Sequence, residues 1–593
     1  MYSLEILKTF FLPVPDVGDT PAPHRDQPLG RSPTYAHLLH QALHQWTPPS
    51  VPDQGPQQAC RLPRLDPWDP AILRYVEEWP RPEAVGSGLR DLLYTSRDRL
   101  VMNMSVLVEA ALARSEVHCN FTYVGDSKQV TLESESVALS SRYNSILAVC
   151  VTFKANQQEE IHRKLHFYIP QPKPKATTKP LIGKQYSITL FIIDALSQMN
   201  GQRSLPRALA EAARMGGILF QGHHKVGYNS VPNVMAISSG SVSDGRGDWP
   251  SFQPVIQSLF QSHGWTTVMY EEELAFWPMG GLVYNSTPFD IDYFGGHRYL
   301  RGSPNHTNPI HIIRDYHHVY RDSPLFMHIH LLEYSHDDIN RAKNYDVDLA
   351  AMLRNLSDST VLEDTFLLLA ADHGYNAGDF PKTVQGTIES NMPLLVIVPP
   401  ASLAQDHSDW LANLRRNSKG ITSQFDIHQM LRHLLGLAIG EEEVEAGYQG
   451  LEGPGGSLLR PLGARSCSEA GVDLRYCSCS SGQVTLEPAE VEGLVRAVLT
   501  DINTFLEPLW GCQTLQLDRV TDVSMKTEEG EVVVQATVEV TPKPVAFLLS
   551  ITKPNVTNTP SVSLVRLDRY SLTSHCVPQS EVLARPLCVC HPE

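Results

Sequence analysis

Thr365-Phe-Leu-Leu-Leu-Ala-Ala-Asp372-His373-Gly374 sets an unbroken apolar run directly before a carboxylate, an imidazole and a glycine. A run of this length, rich in Leu and bounded by a turn residue, reads as a strand buried on both faces. Two other stretches repeat the arrangement: Ile188-Thr-Leu-Phe-Ile-Ile-Asp194, and Phe326-Met-His-Ile-His-Leu-Leu-Glu333 leading to His336. Further strand-like runs at 266–270 and 394–398 alternate with helical patterns at 204–215, 255–263 and 347–356. Such alternation predicts an α/β domain with a parallel or mixed sheet covered by helices on both faces. In such sheets ligands collect in the crevice beyond the carboxyl ends of the strands.

A carboxylate just past a buried strand loses its hydration unless it is paired or coordinated, so its recurrence at three strand ends points to a shared cation. Taken singly, Asp194 also reads as the cap of the next helix. Asn229-Ser230-Val-Pro232-Asn233-Val-Met-Ala-Ile-Ser-Ser239-Gly240 adds a second signal. Ser230 reads as an N-cap, with Pro232 in the first turn and Gly240 closing the helix. The two roles are compatible, because the free N–H groups and positive dipole end beside such a serine suit an anionic phosphoryl or sulfuryl group.

Ser230-Val-Pro232-Asn233 followed by Ser239-Gly240 resembles the nucleophile segment of nucleotide pyrophosphatase/phosphodiesterases, which reads Thr-Phe-Pro-Asn and then Thr-Gly. Asp194, 36 residues before Ser230, and Asp372-His373-Gly374 resemble the metal-binding pattern of the alkaline phosphatase and sulfatase superfamily. With Ser335-His336-Asp-Asp-Ile-Asn340 and Gln385-Gly-Thr-Ile-Glu389 before Pro393, the whole is most similar to the animal sulfatase-like branch known as domain of unknown function 229. The resemblance covers roughly 184 to 440. It implies an alkaline phosphatase-like fold and a divalent metal, Zn or Mn, held by Asp194, Ser230, Asp372 and His373. Ser230 is then the nucleophile, His336 touches the substrate or a second metal, and Lys382 offers charge to the leaving ester. A hydroxyl is a weak nucleophile at neutral pH, and a cation that lowers its pKa and neutralises ester oxygens answers that need.

Two departures narrow the chemistry. Cys-x-Pro-x-Arg is absent, so the formylglycine of ordinary sulfatases cannot be made, and a phosphate ester is expected ahead of a sulfate. Leu332 stands four residues before His336, where two-metal relatives carry Asp, which leaves a second metal open. Single-metal relatives use a histidine near this place for the substrate, the role favoured for His336. The alternative is an inactive ectodomain that binds a glycan or lipid. His223-His224, His317-His318, His328, His330 and Asp426-Ile-His428 are weaker candidates in a chain with 24 histidines.

The flanks fill out the picture. The net charge of −17 opposes binding to a nucleic acid backbone, yet a local positive site bearing a metal still suits an anionic ester, on a glycan or a lipid. No apolar run approaches the ~20 residues of a membrane-spanning helix. Ten cysteines, crowded toward the C-terminus, lack zinc-knuckle spacing and read as disulfides. Together with Asn-x-Ser/Thr sites at Asn103, Asn120, Asn285, Asn305, Asn355 and Asn555, they point to the secretory pathway. Met1 to Val14 shows no clear signal segment. The expected organisation is a mobile Pro-rich lead (1–70), a β-rich module and linker (71–180), the catalytic domain (181–460) and a disulfide-containing C-terminal region (461–593). Within the second unit, runs at 129–132, 145–153 and 164–169 read as strands stapled by Cys119 and Cys150; 532–540 and 545–551 read as an antiparallel pair in the last.

Overall fold

The computed structural model describes residues 60–77, 182–242, 255–272, 293–296, 307–442 and 444, together with 89–169 and 454–591 apart from short breaks. Most of the Pro-rich lead, the segment 1–14 and the linker 170–180 lie outside the described residues, as do Asn285, Asn305 and Asn555.

A seven-stranded sheet forms the centre, in the order Tyr293–Gly296, Thr266–Glu271, Leu325–Leu331, Ser187–Ile193, Thr365–Ala370, Leu395–Val398, Ile218–Leu219. The first five strands run parallel, Leu395–Val398 runs against them and Ile218–Leu219 runs antiparallel to Leu395–Val398, so the sheet is mixed, as expected. All but the first residue of Ser187–Ile193, and every residue of Leu325–Leu331 and Thr365–Ala370, is buried. Their side chains alternate between two cores. Ile188, Leu190 and Ile192 join the helices Ser230–Ser239, Ile256–Ser262 and Gln424–Ile439 on one face. Phe191 and Ile193 join Pro206–Arg214, Thr307–Val319 and Asp346–Ser357 on the other. This two-sided cover is why the strands read as continuous apolar runs.

Register decides where the polar ends fall. Ile193 pairs with Leu331 and Ile192 with Ala370, so Asp194, Leu332 and the Ala371-Asp372 step leave the sheet at one rim. The helix expected over 204–215 is Pro206–Arg214, and a separate helix, Gln198–Ser204, precedes it. Pro206 disfavours helical backbone at Leu205 and breaks the run there. Ser197, not Asp194, caps the first of them, accepting from the Asn200 N–H at 2.9 Å.

Before this sheet, Val117–Tyr123 and Ser145–Lys154 pair antiparallel, with Cys119 opposite Cys150 and bonded to it. After it, Gln483–Thr485, Gln516–Glu528, Glu531–Thr541, Val545–Lys553 and Ser561–Arg566 form an antiparallel sheet packed by the helix Pro488–Leu506; it contains the expected pair. All ten cysteines form disulfides, as expected, and Cys60–Cys479 ties the end of the lead to the C-terminal region. Among the described residues no helix is long and apolar enough to cross a membrane.

Candidate metal centre

Ser230 opens the ten-residue helix Ser230–Ser239. The N-cap is Asn229, in extended backbone, which places Ser230 one residue further into the helix than the capping pattern suggests. Asn233 fixes the approach. Its amide oxygen accepts from the N–H groups of Val226 (2.7 Å) and Gly227 (3.1 Å), and its amide nitrogen donates to the carbonyls of Gly227 (2.9 Å) and Asn229 (2.7 Å). Gly240 ends the helix at φ +70, as expected of a left-handed C-cap, with the His428 ring against it.

Ser230 Oγ lies 3.3 Å from Asp194 Oδ1 and 3.2 Å from His373 Nε2. The same nitrogen is 3.5 Å from both Asp194 Oδ1 and Asp372 Oδ2. Asp194, Asp372 and His373 each offer one atom within 4.8 Å of the others, and all three are buried. Sequence positions 194, 230, 372 and 373 therefore meet at the rim that the strand register builds.

How the side chains are held bears on what they can bind. Asp372 Oδ1 accepts from the N–H groups of Ala195 (3.1 Å) and His373 (2.8 Å), while Oδ2 makes no hydrogen bond; Asp194 Oδ2 makes none either. Ala195 adopts φ +56 to present its N–H, an uncommon conformation for a residue with a Cβ and one that clusters at functional sites. His373 Nδ1 donates to the Gly374 carbonyl at 2.8 Å, which places a proton on that nitrogen and turns Nε2 toward Ser230 and the carboxylates. Gly374 has no room for a Cβ, which would meet the Glu389 carbonyl. Burial, and then the Asp372 charge, raise the Asp194 carboxyl above its ordinary value. Burial pushes Asp372 the same way, but the imidazoles of His373 and His330, the Ser230 hydroxyl and the His373 N–H outweigh it and hold this carboxyl low. Two buried carboxylates with an unbonded oxygen each, one imidazole nitrogen and a hydroxyl are a donor set a divalent cation takes.

His336 follows the turn after Leu325–Leu331, with its side chain 59% exposed and Nδ1 2.9 Å from Asp337 Oδ1. Against its surroundings' desolvation, which lowers it, Asp337, Asp194 and Asp372 raise this imidazole to about 9. Lys382 is placed differently. Its ammonium pairs with Asp379 at 2.6 Å on the short turn Phe380–Lys382, and it makes no hydrogen bond or ion pair with the four-residue cluster.

The weaker histidine candidates hold the structure together. His223 lies between Thr422 and Gln424, His224 accepts the Ser478 N–H, His317 bonds Thr189, His328 bonds Gln257 and His428 bonds the Ile237 carbonyl. His330 pairs with buried Glu271 at 3.2 Å. Asp426 belongs to a capping box at the start of Gln424–Ile439, closing on the Ser423 N–H at 2.9 Å.

Glu333 supports one prediction. Burial, and then the charge of Glu272, raise its carboxyl from 4.5 to about 8, and its Oε2 makes no hydrogen bond. The folded protein keeps a proton there that the unfolded chain releases above 4.5, so stability falls as pH rises from about 4.5 to about 8. Glu333→Gln is expected to flatten that decline in urea midpoints measured from pH 5 to 8. An unchanged slope contradicts the assignment.

Sequence reasoning missed Lys225, Arg203 and the positioning work of Asn233 and Glu389. Glu389 stands inside a quoted motif, but nothing local marks it as the buried partner of Arg203.

No curated protein matches the chain. Among solved structures, a protein in the alkaline phosphatase superfamily from Vibrio parahaemolyticus is similar at 13% identity and TM-score 0.35, covering 68% of this chain and 86% of that one. The lipoteichoic acid synthase LtaP from Listeria monocytogenes is similar at 11% and 0.33, covering 43% and 72%. The C-terminal periplasmic domain of EcEptC from Escherichia coli, in complex with Zn, is similar at 12% and 0.35, covering 49% and 92%. At such identities and scores, no statement about activity rests on these likenesses. The family described as "Protein of unknown function (DUF229)" matches residues 102–277 and 299–521, more than half of the chain and both sides of the metal-site motifs. This is the branch those motifs resemble, and the chain belongs to that family.

Proposed function

We propose that the chain is a metal-dependent hydrolase or transferase acting on a phosphate ester, and less readily a sulfate ester, through a covalent intermediate on Ser230. The observation that carries this reading is the meeting of Ser230 Oγ with Asp194 and His373 at 3.2–3.3 Å, where two buried carboxylate oxygens make no hydrogen bond. In this proposal Asp194, Ser230, Asp372 and His373 hold one divalent cation, Zn or Mn. When bound, that cation lowers the pKa of the serine hydroxyl and neutralises ester oxygens.

The chain's own groups supply the rest. Ser230 Oγ attacks phosphorus; the new Oγ–P bond replaces the bond to the departing alcohol, whose oxygen takes up, through solvent, the proton the serine loses, and water or a second alcohol then takes the phosphoryl group and returns a proton to the serine. The helix N-terminus turns its free N–H groups toward the phosphoryl oxygens. His336, protonated at neutral pH and open to solvent, adds positive charge at the mouth. Lys382 as a leaving-group residue requires rotation away from Asp379. We assign catalysis to 181–460 and place the protein in the secretory pathway, secreted or lumenal, on the strength of its disulfides and the described Asn-x-Ser/Thr sites.

The test is a panel of aryl phosphomonoesters, phosphodiesters and sulfate esters given to protein supplied with Zn or Mn. Phosphate-ester turnover exceeding sulfate-ester turnover is expected. Tight binding of a glycan or lipid with no turnover of any ester overturns the enzyme reading in favour of a binding ectodomain.

A further inference from the structure

Close to the four-residue cluster along the chain, a small open hollow lies between the central domain and the C-terminal sheet. One wall comes from the two loops that carry the cluster. Lys225 and Tyr228 precede Ser230, and Asn376 follows Gly374. These loops are laced together, Tyr228 Oη donating to the Asn376 carbonyl at 3.1 Å and Asn376 Nδ2 donating to the Tyr228 carbonyl at 3.0 Å. Across from them stand Tyr476 and, on the strand Glu531–Thr541, Gln535.

Lys225 is the unusual member. It is 1% exposed, donates to Ser390 Oγ at 2.9 Å, and lies 5.2 Å from the ring centroids of both Tyr228 and Tyr476. Among the described residues no carboxylate lies within ion-pair distance of its ammonium. Arg475 on the same hollow is already matched, its guanidinium meeting both carboxylate oxygens of Asp473 at 2.6–2.9 Å. A buried ammonium held by one hydroxyl and two ring faces is under-satisfied, because it carries three donors. Burial accordingly pushes it down to about 7, although the Asp372 carboxylate pulls the other way. An anion brought to it would supply the missing partner in a chain that is acidic elsewhere.

We infer that this hollow receives the non-reacting part of the substrate, a polar body bearing a second anionic group, and that Lys225 pairs with that group. The inference rests on the reading of Ser230 as the reacting residue. It deepens that reading by restricting the substrate to esters with two separated negative charges, whether soluble sugar phosphates or lipid headgroups.

The test compares affinities of the metal-supplied full chain for glucose 1-phosphate and glucose 1,6-bisphosphate by calorimetry. Vesicles containing phosphatidylinositol or its 4-phosphate test the lipid source. A preference of about tenfold for the doubly charged member of either pair, the worth of one charge-assisted hydrogen bond, is expected. Lys225→Gln removes the preference and Lys225→Arg keeps it. Equal affinity within both pairs for the wild-type protein overturns the proposal, and this measurement needs no variant to fold. Failure of all esters to turn over, with the preference intact, defeats the hydrolase reading and leaves the hollow's role standing; turnover without preference does the reverse.

Discussion

Ser230→Ala is expected to lower turnover of aryl phosphate on the order of 10⁶-fold, the scale on which removal of an attacking hydroxyl is felt. On the proposed reading the loss falls on kcat, because three of the four proposed metal ligands, Asp194, Asp372 and His373, remain in place. Stability changes little: Ser230 is half-buried, and Asn229 and Asn233 set the turn before the helix. A variant that retains full activity on phosphate and sulfate esters shows that another group attacks. Rapid-quench kinetics and mass spectrometry of the 230 peptide distinguish the two outcomes, since only attack by Ser230 leaves a phosphoryl group there.

Glu389→Ala is expected to destabilise the protein by about 3–5 kcal/mol, as removal of one member of a buried ion pair does. Glu389 is fully buried; its carboxylate takes both guanidinium nitrogens of Arg203 at 2.6 and 3.0 Å, the Ser197 hydroxyl at 2.8 Å and the Gln385 amide at 2.9 Å. Truncation strands the Arg203 charge with the Pro67 carbonyl as its remaining acceptor among these contacts. The pair also braces the site: Ser197 follows the Asp194 turn, and the helix bearing Glu389 packs on Gly374. Urea titration measures the loss. A cost below about 1 kcal/mol contradicts the role, and the double replacement Arg203→Met with Glu389→Leu is expected to recover much of it.

What could be read from the residues follows from range. Strands buried on both faces leave long apolar runs, and the polar group ending each run is local, so Asp194, Asp372 and His373 are legible in the sequence. The helix that Ser230 opens is legible for the same reason, with a difference of one residue at its cap, where Asn229 and Ser230 are both good capping types. Arg203 and Lys225 were not legible. Their character comes from partners 186 residues away in one case and, in the other, from Ser390, 165 residues away, and a ring at position 476. Lys382 stands ten residues beyond Asp372, and its ion pair with Asp379 at 2.6 Å is a local contact that the resemblance does not predict.

The most direct test of the central claim is the metal content of the purified protein after exhaustive dialysis, wild type beside Asp372→Asn. One equivalent of a divalent metal in the wild type, and its loss from the variant, is the expected result. A folded wild-type protein that takes up no divalent cation when Zn or Mn is supplied contradicts the account.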